Sequence, residues 1–516
     1  MPDKTDFIQT INNGYHFKGE SFTLGAAVLN GEVLSEAPVH LSLKTMNRHG
    51  LIAGATGTGK TKTLQVIAEG LSDASVPVLL MDIKGDLSGI AQEGILNDKI
   101  KERYGKMALE YVPKSFPAEL MSLSEEKGVR LRATVSEFGP ILISKILGLN
   151  DTQQGLVAVI FKYCDDEKIP LVDLKDFIKM LQYIGNEGRA GIEKQYGKIS
   201  TTSTGTILRK VIELQQQGAD VFFGEPSFEV DDLMRISDDG GGMINILRVT
   251  DMQNRPKLFS TFMLQLLAEL YAILPEAGDL DKPKLVLFID EAHLVFQEAT
   301  DALLQQIETV VKLIRSKGVG IFFCTQNPQD IPAAVLSQLG LKVQHALRAF
   351  TAADRKTIKQ AAENYPETSY YQVNQLITEL GIGEALITML NEKGIPTPLA
   401  HTLLTSPRSR MDVLTEAEIS ALTTQSKLVK KYEQTIDNVS AYEIVSGKLE
   451  EAEKRSAEQA AGKTSSKPEP SALERILNNP AARQVQRTAA SIITRSLLGA
   501  LGLGGRRSSK KKTSWF

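Results

Sequence analysis

The sequence is poor in the residues that hold extracellular or metal-dependent folds together. Its 516 residues include two cysteines, Cys164 and Cys324, and six histidines, with no C-x-x-C or H-E-x-x-H spacing. Two cysteines do not build a disulfide scaffold, and scattered histidines do not predict a structural metal site. The sequence therefore predicts a reducing compartment, the cytoplasm.

Long apolar runs and a strong overall charge are also missing. No stretch of about 18 uncharged apolar residues is present, so no membrane-spanning helix is predicted. Residues 1–12 lack the charged and apolar segments of a signal peptide. The formal net charge of -3 gives no overall signature of a nucleic-acid-binding protein. A hydrophobic content of 42% and a charged content of 23% are ordinary for a globular chain.

The most informative segment is a complete G-x-x-x-x-G-K-T motif, the Walker A pattern, over residues 54–61. An apolar run precedes it and a helical pattern follows, which is the context that a phosphate-binding loop requires. In such a loop, backbone N–H groups turn toward phosphate oxygens, the lysine reaches the β- and γ-phosphates and the threonine holds Mg²⁺. Thr61 is therefore a predicted metal ligand. The predicted nucleotide-binding residues are Gly54, Ala55, Thr56, Gly57, Thr58, Gly59, Lys60, Thr61 and Lys62.

A second apolar run, residues 285–289, has the pattern of a strand buried on both faces and ends in Asp290 and Glu291. A carboxylate at that strand end suits a water-mediated Mg²⁺ ligand, which makes Asp290 the second predicted metal residue. Glu291 then suits the general base that polarises the attacking water. Two acids that cap a helix N-terminus are the simpler alternative. The presence of the phosphate loop in the same chain favours the catalytic interpretation.

Three charged residues lie at or just after the end of another predicted strand, residues 76–83. They are Asp82, Lys84 and Asp86. Ligands in open α/β sheets bind at the carboxyl ends of parallel strands, so these side chains could face the nucleotide. A solvated turn explains them equally well, and the sequence does not separate the two interpretations.

The order of strand and helix patterns predicts an α/β fold with a mostly parallel sheet flanked by helices. Further strands are expected at residues 243–249, 319–325, 343–350 and 385–390. The predicted regions are a short β segment over 1–45, the first part of the ATPase core over 46–90, a mostly helical insertion over 91–240, the second part of the core over 241–410, an exposed helical extension over 411–461, and a linker with a basic amphipathic tail over 462–516.

The end of the chain differs from the rest in its charge. Residues 475–516 include nine basic residues and no acidic one. Apolar residues such as Ile492, Leu497 and Leu501 interleave with the arginines, a pattern that can lie on an anionic membrane surface. The same charge could contact DNA phosphates, or belong to a disordered terminus that only aids solubility. All three interpretations stay open.

Several longer phrases resemble the HerA–FtsK superfamily of ring-forming P-loop ATPases. The phosphate loop, the long gap to Asp290 and Glu291, and the Cys-Thr-Gln sequence at 324–326 resemble this group, in particular its HerA-like branch designated DUF853. The match is carried by residues 81–86, 134–140, 314–320, 325–332 and 343–350. The resemblance implies a RecA-like core of the ASCE class, ATP and Mg²⁺ as ligands, hydrolysis to ADP and phosphate, and a homo-oligomeric, hexameric ring.

The resemblance also implies roles for polar residues outside the loop. Gln326 would sense the γ-phosphate or the attacking water, with a strand-end amide that caps the next loop as its alternative. An arginine from a neighbouring subunit would neutralise charge in the transition state. Arg315 and Arg348 are the candidates, and Arg348 is preferred because Arg315, at a helix end, already suits the helix dipole.

The motifs predict ATP hydrolysis, and the resemblance implies a HerA-like ring motor that acts on DNA as a translocase or helicase-like enzyme. The alternative is an ATP-dependent assembly or switch ATPase that acts on protein or at a membrane surface without translocation. A kinase is disfavoured because the acidic pair suits water activation, and a GTPase because no Asn-Lys-x-Asp signature is present. The resemblance does not include the N-terminal β-barrel of HerA, since only residues 1–45 precede the core, so docking of its nuclease partner is not implied.

Overall fold

The computed structural model describes residues 3–124, 126–250, 256–296 and 301–460. These ranges contain twelve strands, which are β1 (Ser21–Leu29), β2 (Glu32–Ser42), β3 (Gly50–Ala53), β4 (Val78–Asp82), β5 (Ala118–Ser122), β6 (Val129–Arg130), β7 (Ile244–Arg248), β8 (Leu285–Ile289), β9 (Val319–Thr325), β10 (Leu341–Gln344), β11 (Glu384–Met389) and β12 (Ala400–Leu404). All of them join one sheet, in the order β2-β1-β12-β11-β10-β3-β9-β8-β4-β7-β5-β6.

The helices follow the strands in alternation for most of the chain. Within the described ranges they are α1 (Lys4–Tyr15), α2 (Lys60–Asp73), α3 (Asp98–Met107), α4 (Val135–Ile146), α5 (Asp151–Glu167), α6 (Leu174–Gly185), α7 (Arg189–Tyr196), α8 (Thr201–Gln216), α9 (Pro256–Ile273), α10 (His293–Phe296), α11 (Asp301–Ile314), α12 (Ala333–Leu336), α13 (Ala352–Ala362), α14 (Val373–Glu379), α15 (Glu416–Gln425), α16 (Lys427–Tyr432) and α17 (Ala441–Ala460). None of these helices is long and apolar enough to cross a membrane.

The sheet has a parallel and an antiparallel half. Every neighbouring pair from β10 to β6 is parallel, whereas the pairs from β2 to β10 are antiparallel. In the parallel half the carboxyl ends of all the strands therefore come to one edge of the sheet. The prediction of an α/β fold with a mostly parallel sheet is confirmed, and that edge is where a ligand site is expected.

Both faces of the parallel half are buried, which explains the continuous apolar runs in the sequence. Along β3, Leu51 and Ala53 pack on one face while Ile52 packs on the other. Helices α4–α6, α8, α9 and α11 cover the first face, and α1, α2 and α15 cover the second. The sheet is therefore a rigid, fully packed support for the loops at its edges.

The structure differs from the prediction at the N-terminus and in the antiparallel half. The first 45 residues begin with α1, which buries Phe7, Ile11 and Tyr15 and is capped by Asp3. The four-residue spacing of those apolar residues was the helical signal, but it is short and lies among polar residues. Strand β12 was not predicted, because the last strand was expected at residues 385–390.

The region predicted as a mostly helical insertion, 91–240, also contributes to the main sheet. Strand β5 pairs with β7, and β6 extends the same edge. After them come helices α4–α8, which pack against one another and against α9. The insertion thus adds two strands to the sheet before it forms the helical layer, an order that periodicity did not reveal.

The helical extension predicted over 411–461 is not exposed throughout. Tyr432, Ala441 and Val445 are buried in the same core as the helices of the insertion. The carboxylate of Asp176, on α6, accepts hydrogen bonds from Ser440 Oγ at 2.6 Å and from the Tyr442 backbone N–H at 2.8 Å. The extension and the insertion therefore pack as one layer. The predicted basic tail lies outside the described residues.

Candidate functional site

The phosphate-loop motif lies between β3 and α2, as its sequence context predicts. Gly59 is the N-cap of α2 with a φ of 114°, and Gly54 and Gly57 have φ values of 154° and 79°. Glycine adopts such positive φ angles without the strain that a Cβ atom would cause. The loop therefore wraps around the N-terminus of α2, where free backbone N–H groups and the helix dipole favour an anion.

Lys60, the first residue of α2, folds over the loop. Its ammonium donates hydrogen bonds to two loop carbonyl oxygens, at 2.6 and 3.2 Å, and the residue is 6% exposed. Burial lowers the pKa of Lys60 and the charge of Lys84 lowers it further, while Glu291 and Asp290 act in the opposite direction. The lysine is therefore within electrostatic reach of the acidic pair that follows β8.

The two residues after Lys60 have different surroundings. Thr61 is half-buried in the first turn of α2, where a hydroxyl can reach a metal ion bound to phosphates. The ammonium of Lys62 instead donates to the carbonyl of Met411 at 2.6 Å and to Gln65 at 3.3 Å. The side chain of Lys62 thus holds the segment after β12, and only its backbone N–H is directed by the loop.

A buried histidine that the sequence did not single out supports the loop from below. The ring Nε2 of His345, directly after β10, lies 2.9 Å from Thr63 Oγ1. The backbone N–H of His345 donates to the carbonyl of Ala53 at 2.7 Å. A Cβ atom on Gly54 would stand 2.5 Å from the Cβ of His345, so the close approach requires glycine. Burial, with the charge of Lys60, lowers the pKa of His345 to about 4. The ring is therefore neutral and acts as a packed support.

Asp290 and Glu291 leave β8 at the same edge as the phosphate loop, because β3, β9 and β8 are adjacent and parallel. Both residues are buried. Glu291 has a φ of 44°, a left-handed conformation that costs a non-glycine residue about 1–2 kcal/mol. Its carboxylate forms an ion pair with Lys84, and its Oε2 lies 3.2 Å from His293 Nδ1. Lys84 and His293 thus contact different oxygens of the carboxylate.

The two adjacent carboxylates differ in their tendency to bind a proton. Burial raises the pKa of Asp290 to about 6; the charge of Lys84 opposes this rise, and that of Glu291 adds to it. Burial alone would also raise the pKa of Glu291, but the hydrogen bond and charge of Lys84, with contributions from His293 and Lys60, bring it below its ordinary value. Glu291 is therefore ionised at neutral pH, as a general base must be.

The charged residues at the turn after β4 have different roles. The buried carboxylate of Asp82 accepts hydrogen bonds from the backbone N–H groups of residues 85–87, at 2.7, 3.1 and 3.1 Å. Asp82 therefore fixes the turn and does not point to a ligand. Lys84 leaves the same turn toward Glu291, and its ammonium lies 4.0 Å from Asp290 Oδ2. Neither sequence interpretation of this turn describes all of its charged residues.

Gln326 lies at the end of β9, between the phosphate loop and the acidic pair. Strand β9 pairs with β3 on one side and with β8 on the other. The turn that follows is built around Asp330, which accepts hydrogen bonds from Thr325 Oγ1 at 2.6 Å and from the Asn327 N–H at 3.1 Å. Because Asp330 fixes this turn, the capping alternative for Gln326 has little support. The residue is exposed at the centre of the site.

Arg348 lies at the edge that carries the phosphate loop. Strand β10 ends at Gln344 and does not continue to residue 350 as predicted, because the chain then turns to contact the loop through Ala346, whose carbonyl accepts the N–H of Ala55 at 2.8 Å. The guanidinium of Arg348 is exposed and donates to the carbonyl of Thr378 at 3.1 Å. Strand β10 lies inside the sheet, so Arg348 does not belong to an edge strand.

Arg315 lies at the opposite side of the sheet, where the parallel strands begin. It precedes β9, and after burial its positive charge is the next cause that lowers the pKa of Arg48, which precedes β3. The seven residues of β9 span about 23 Å, since a strand rises about 3.3 Å per residue. Arg348 is therefore on the same side of the sheet as the phosphate loop of its chain, whereas Arg315 lies about one strand length away from that side.

The residues at this edge fit a nucleotide with Mg²⁺. Asp290 Oδ2 is buried and accepts no hydrogen bond from the residues that the structure describes, and a hard cation would satisfy such an oxygen. The same part of the chain contains no group of three or more His, Cys, Asp or Glu residues that could enclose a metal ion. Mg²⁺ is usually bound by one or two protein oxygens together with substrate phosphates, and Thr61 and Asp290 could supply them.

Comparison with known proteins gives a consistent family assignment. A family model described as the HerA-like helicase C-terminal region matches residues 28–508. A probable helicase of Methanocaldococcus jannaschii is 24% identical over 374 residues, which are 69% of this chain and 66% of the relative. The DNA double-strand break repair helicase HerA of Sulfolobus acidocaldarius is 21% identical over 376 residues, 71% of this chain and 67% of the relative. The chain thus spans about two thirds of the length of these relatives.

Two solved structures are similar to this chain over most of its length. The bacterial conjugative coupling protein TrwB has a TM-score of 0.49 and 13% sequence identity, and the match covers 79% of this chain and 94% of TrwB. VirB4 of Thermoanaerobacter pseudethanolicus has a TM-score of 0.46 and 15% identity, over 75% of this chain and 97% of VirB4.

Proposed function

Because the chain belongs to the HerA-like C-terminal helicase family, we propose that it is an ATP-hydrolysing motor that assembles into a homo-oligomeric, hexameric ring and acts on DNA. One observation carries the ATPase part of this proposal. The phosphate loop, Gln326 and the Asp290–Glu291 pair leave three adjacent parallel strands at one edge of the sheet. This adjacency supports the proposal that the three segments act as a phosphate cradle, a polar sensor and a general base.

In the proposed mechanism, the phosphate side of the site binds and orients ATP. Backbone N–H groups of residues 54–62 would hold the phosphates, and Lys60 would leave its loop carbonyls to contact the β- and γ-phosphates. Thr61 and Asp290 would hold Mg²⁺, which would supply positive charge next to the phosphate oxygens. Lys60 lies within electrostatic reach of Asp290, which supports a shared site for the phosphates and the metal ion.

The acidic side of the site would activate water. Glu291 would accept a proton from the attacking water, and the low pKa that Lys84 gives it supports the ionised form that this step requires. Gln326, exposed between the loop and the acidic pair, would orient the water or the γ-phosphate. Gln326 follows β9, which lies between β3 and β8. This position supports the role, because the phosphate loop follows β3 and Glu291 follows β8.

An arginine would complete the site, and Arg348 remains our first candidate. Mixing two inactive variants tests whether it acts across subunits. A mixture of Arg348→Ala and Lys60→Ala subunits should regain part of the ATPase rate only if Arg348 acts across subunits, because one kind of interface then combines an intact loop with an intact arginine. A mixture that stays inactive would assign Arg348 a role within its own subunit. Arg315→Ala mixed with Lys60→Ala gives the matched experiment. If only the mixture of Arg315→Ala with Lys60→Ala regains activity, Arg315 is the arginine that acts across subunits.

DNA is proposed as the substrate because the HerA relative is described as a DNA double-strand break repair helicase. The test is the ATPase rate with and without double-stranded DNA, at low and at moderate salt. Stimulation that fades as salt rises is expected, because contacts to phosphates release counterions. An ATPase rate that DNA does not change at either salt concentration would contradict a DNA motor.

The basic tail gives the second candidate function a specific test. Its nine basic residues could bind an anionic membrane, which would suit an assembly or switch ATPase. Deletion of residues 475–516 should remove salt-sensitive DNA binding if the tail serves the motor. Binding to anionic liposomes by the full chain, with no DNA binding, would favour the second candidate.

A further inference from the structure

We propose that Lys84 is a positioning residue for Glu291, and this inference rests on the proposed ATPase function. Its ammonium would hold the carboxylate in the orientation from which Glu291 takes a proton from water. The motif roles described above assign nothing to Lys84. The argument depends on the sheet register, on the contacts of the carboxylate and on the rigidity of the turn that carries the lysine.

The register of two neighbouring strands brings the lysine and the glutamate together. Strand β4 pairs in parallel with β8, and Met81 lies opposite Ile289. Lys84 follows Met81 by three residues and Glu291 follows Ile289 by two, so both lie just beyond the carboxyl ends of adjacent strands. Their contact is therefore fixed by the backbone of the sheet and does not depend on a long flexible loop.

The contacts of Glu291 show why it needs such a partner. The residue is buried and its backbone is left-handed, with a φ of 44°, so its side chain starts from an unusual direction. Lys84 forms an ion pair with Oε1, while His293 Nδ1 lies 3.2 Å from Oε2. Lys84 also lies 4.0 Å from Asp290 Oδ2, where it reduces the repulsion between two adjacent carboxylates. The lysine thus determines both the direction of the carboxylate and its separation from Asp290.

The turn that presents Lys84 is itself held in place. Asp82 accepts three backbone hydrogen bonds from residues 85–87, which closes the turn around the lysine. The side chain of Lys84 is 35% exposed, and its ammonium contacts the buried carboxylate of Glu291. A fixed backbone with a charged end directed at one carboxylate is the arrangement expected of a residue that orients another.

The test compares Lys84→Met, which keeps the length and removes the charge, with Lys84→Arg, which keeps the charge. In Lys84→Met we expect kcat to fall about 10–100-fold, with the affinity for a non-hydrolysable ATP analogue changed by less than about twofold. Lys84→Arg should recover most of the rate. In a Glu291→Gln background, Lys84→Met should add less than about a twofold loss, because its effect passes through Glu291. Lys431→Met removes a lysine paired with Asp232 and Glu229 elsewhere, and serves as the matched control.

A second readout uses the protein without nucleotide. Amide hydrogen exchange in the segment from residue 291 to 295 should become about tenfold faster in Lys84→Met but not in Lys84→Arg, while exchange in the phosphate loop stays unchanged. A wild-type kcat in Lys84→Met, a loss of analogue affinity with kcat preserved, or an additive loss in the Glu291→Gln background would each overturn the proposal. If the wild-type protein has no ATPase activity, the proposed function fails, and the exchange result still decides whether Lys84 holds Glu291.

Discussion

The two loops that form the candidate site are held in place by different means. The phosphate loop depends on its own backbone, through positive φ angles at three glycines and a close approach to His345. The loop after β8 depends on side chains, because Glu291 is left-handed without being glycine and is fixed by Lys84 and His293. One loop is a backbone cradle and the other is a set of charged partners.

This difference predicts how each loop responds to substitution. In a backbone cradle, the side chain of Lys60 can be removed without disturbing the loop, so the loss falls on binding and chemistry. In the acidic loop, each charge supports the next, and removal of one leaves a buried charge without compensation. Substitutions there should change the chemistry and the local structure together, and the following predictions test this contrast.

The largest effect is expected from Lys60→Ala. The variant should bind ATP weakly and show no measurable turnover, since its ammonium would contact the β- and γ-phosphates and loss of a single such donor costs about 10²–10³-fold or more. Its melting temperature should stay near that of the wild type. Lys342→Ala is the matched control, because burial also lowers the pKa of Lys342 and its ammonium donates to a carbonyl, that of Asn364, at 3.0 Å. Comparable turnover in both variants would contradict the assignment of the loop.

Glu291→Gln should have the next largest effect. Removal of the general base should slow hydrolysis by about 10²–10⁴-fold while ATP still binds, because the phosphate loop is intact. The informative measurement is single-turnover hydrolysis beside the affinity for ATP. Normal turnover in this variant would remove Glu291 from the mechanism, and loss of ATP binding would show that the two loops are not separate in their tasks.

The same contrast explains how far the sequence could predict the site. The phosphate loop was found with its residues and its flanking elements, since local glycine spacing specifies the backbone. Strands β8 and β9 were also predicted at their observed bounds, because strands buried on both faces are continuous apolar runs. Lys84 was left between two interpretations, because its partner Glu291 comes from a neighbouring strand that is far away in sequence.

Other parts of the structure could not be predicted for a related reason. His345 supports the loop only because β10 pairs with β3, and nothing near His345 in sequence shows that pairing. The packing of α17 on α6 through Asp176 joins two regions separated by most of the core. Periodicity describes which residues are buried in an element but not which other element covers them.

Asp290→Asn should have a smaller effect, which concerns the metal ion more than the nucleotide. Because Asp290 Oδ2 accepts no hydrogen bond from the described residues, its loss as a charged ligand should raise the Mg²⁺ concentration for half-maximal ATPase rate by about 10–100-fold. A titration of the rate with Mg²⁺ at fixed ATP measures this. Chelation of Mg²⁺ in the wild type should stop turnover, and saturating Mg²⁺ should recover most of the variant's rate. An unchanged Mg²⁺ requirement would separate Asp290 from the metal.

The smallest effect is expected from Asp82→Ala. Asp82 acts on the acidic loop indirectly, because it holds the turn that carries Lys84. The substitution leaves three backbone N–H groups without their acceptor, including the buried one of Leu87, so the free energy of unfolding should fall by about 1–3 kcal/mol. Thermal unfolding measures this loss, and Asp82→Asn, which keeps one acceptor oxygen, should lie between the variant and the wild type. Turnover should fall several-fold through the loosened position of Lys84, with ATP affinity unchanged. A loss of ATP affinity would instead place the turn after β4 on the phosphate side, and the division between a backbone cradle and a set of charged partners would no longer hold.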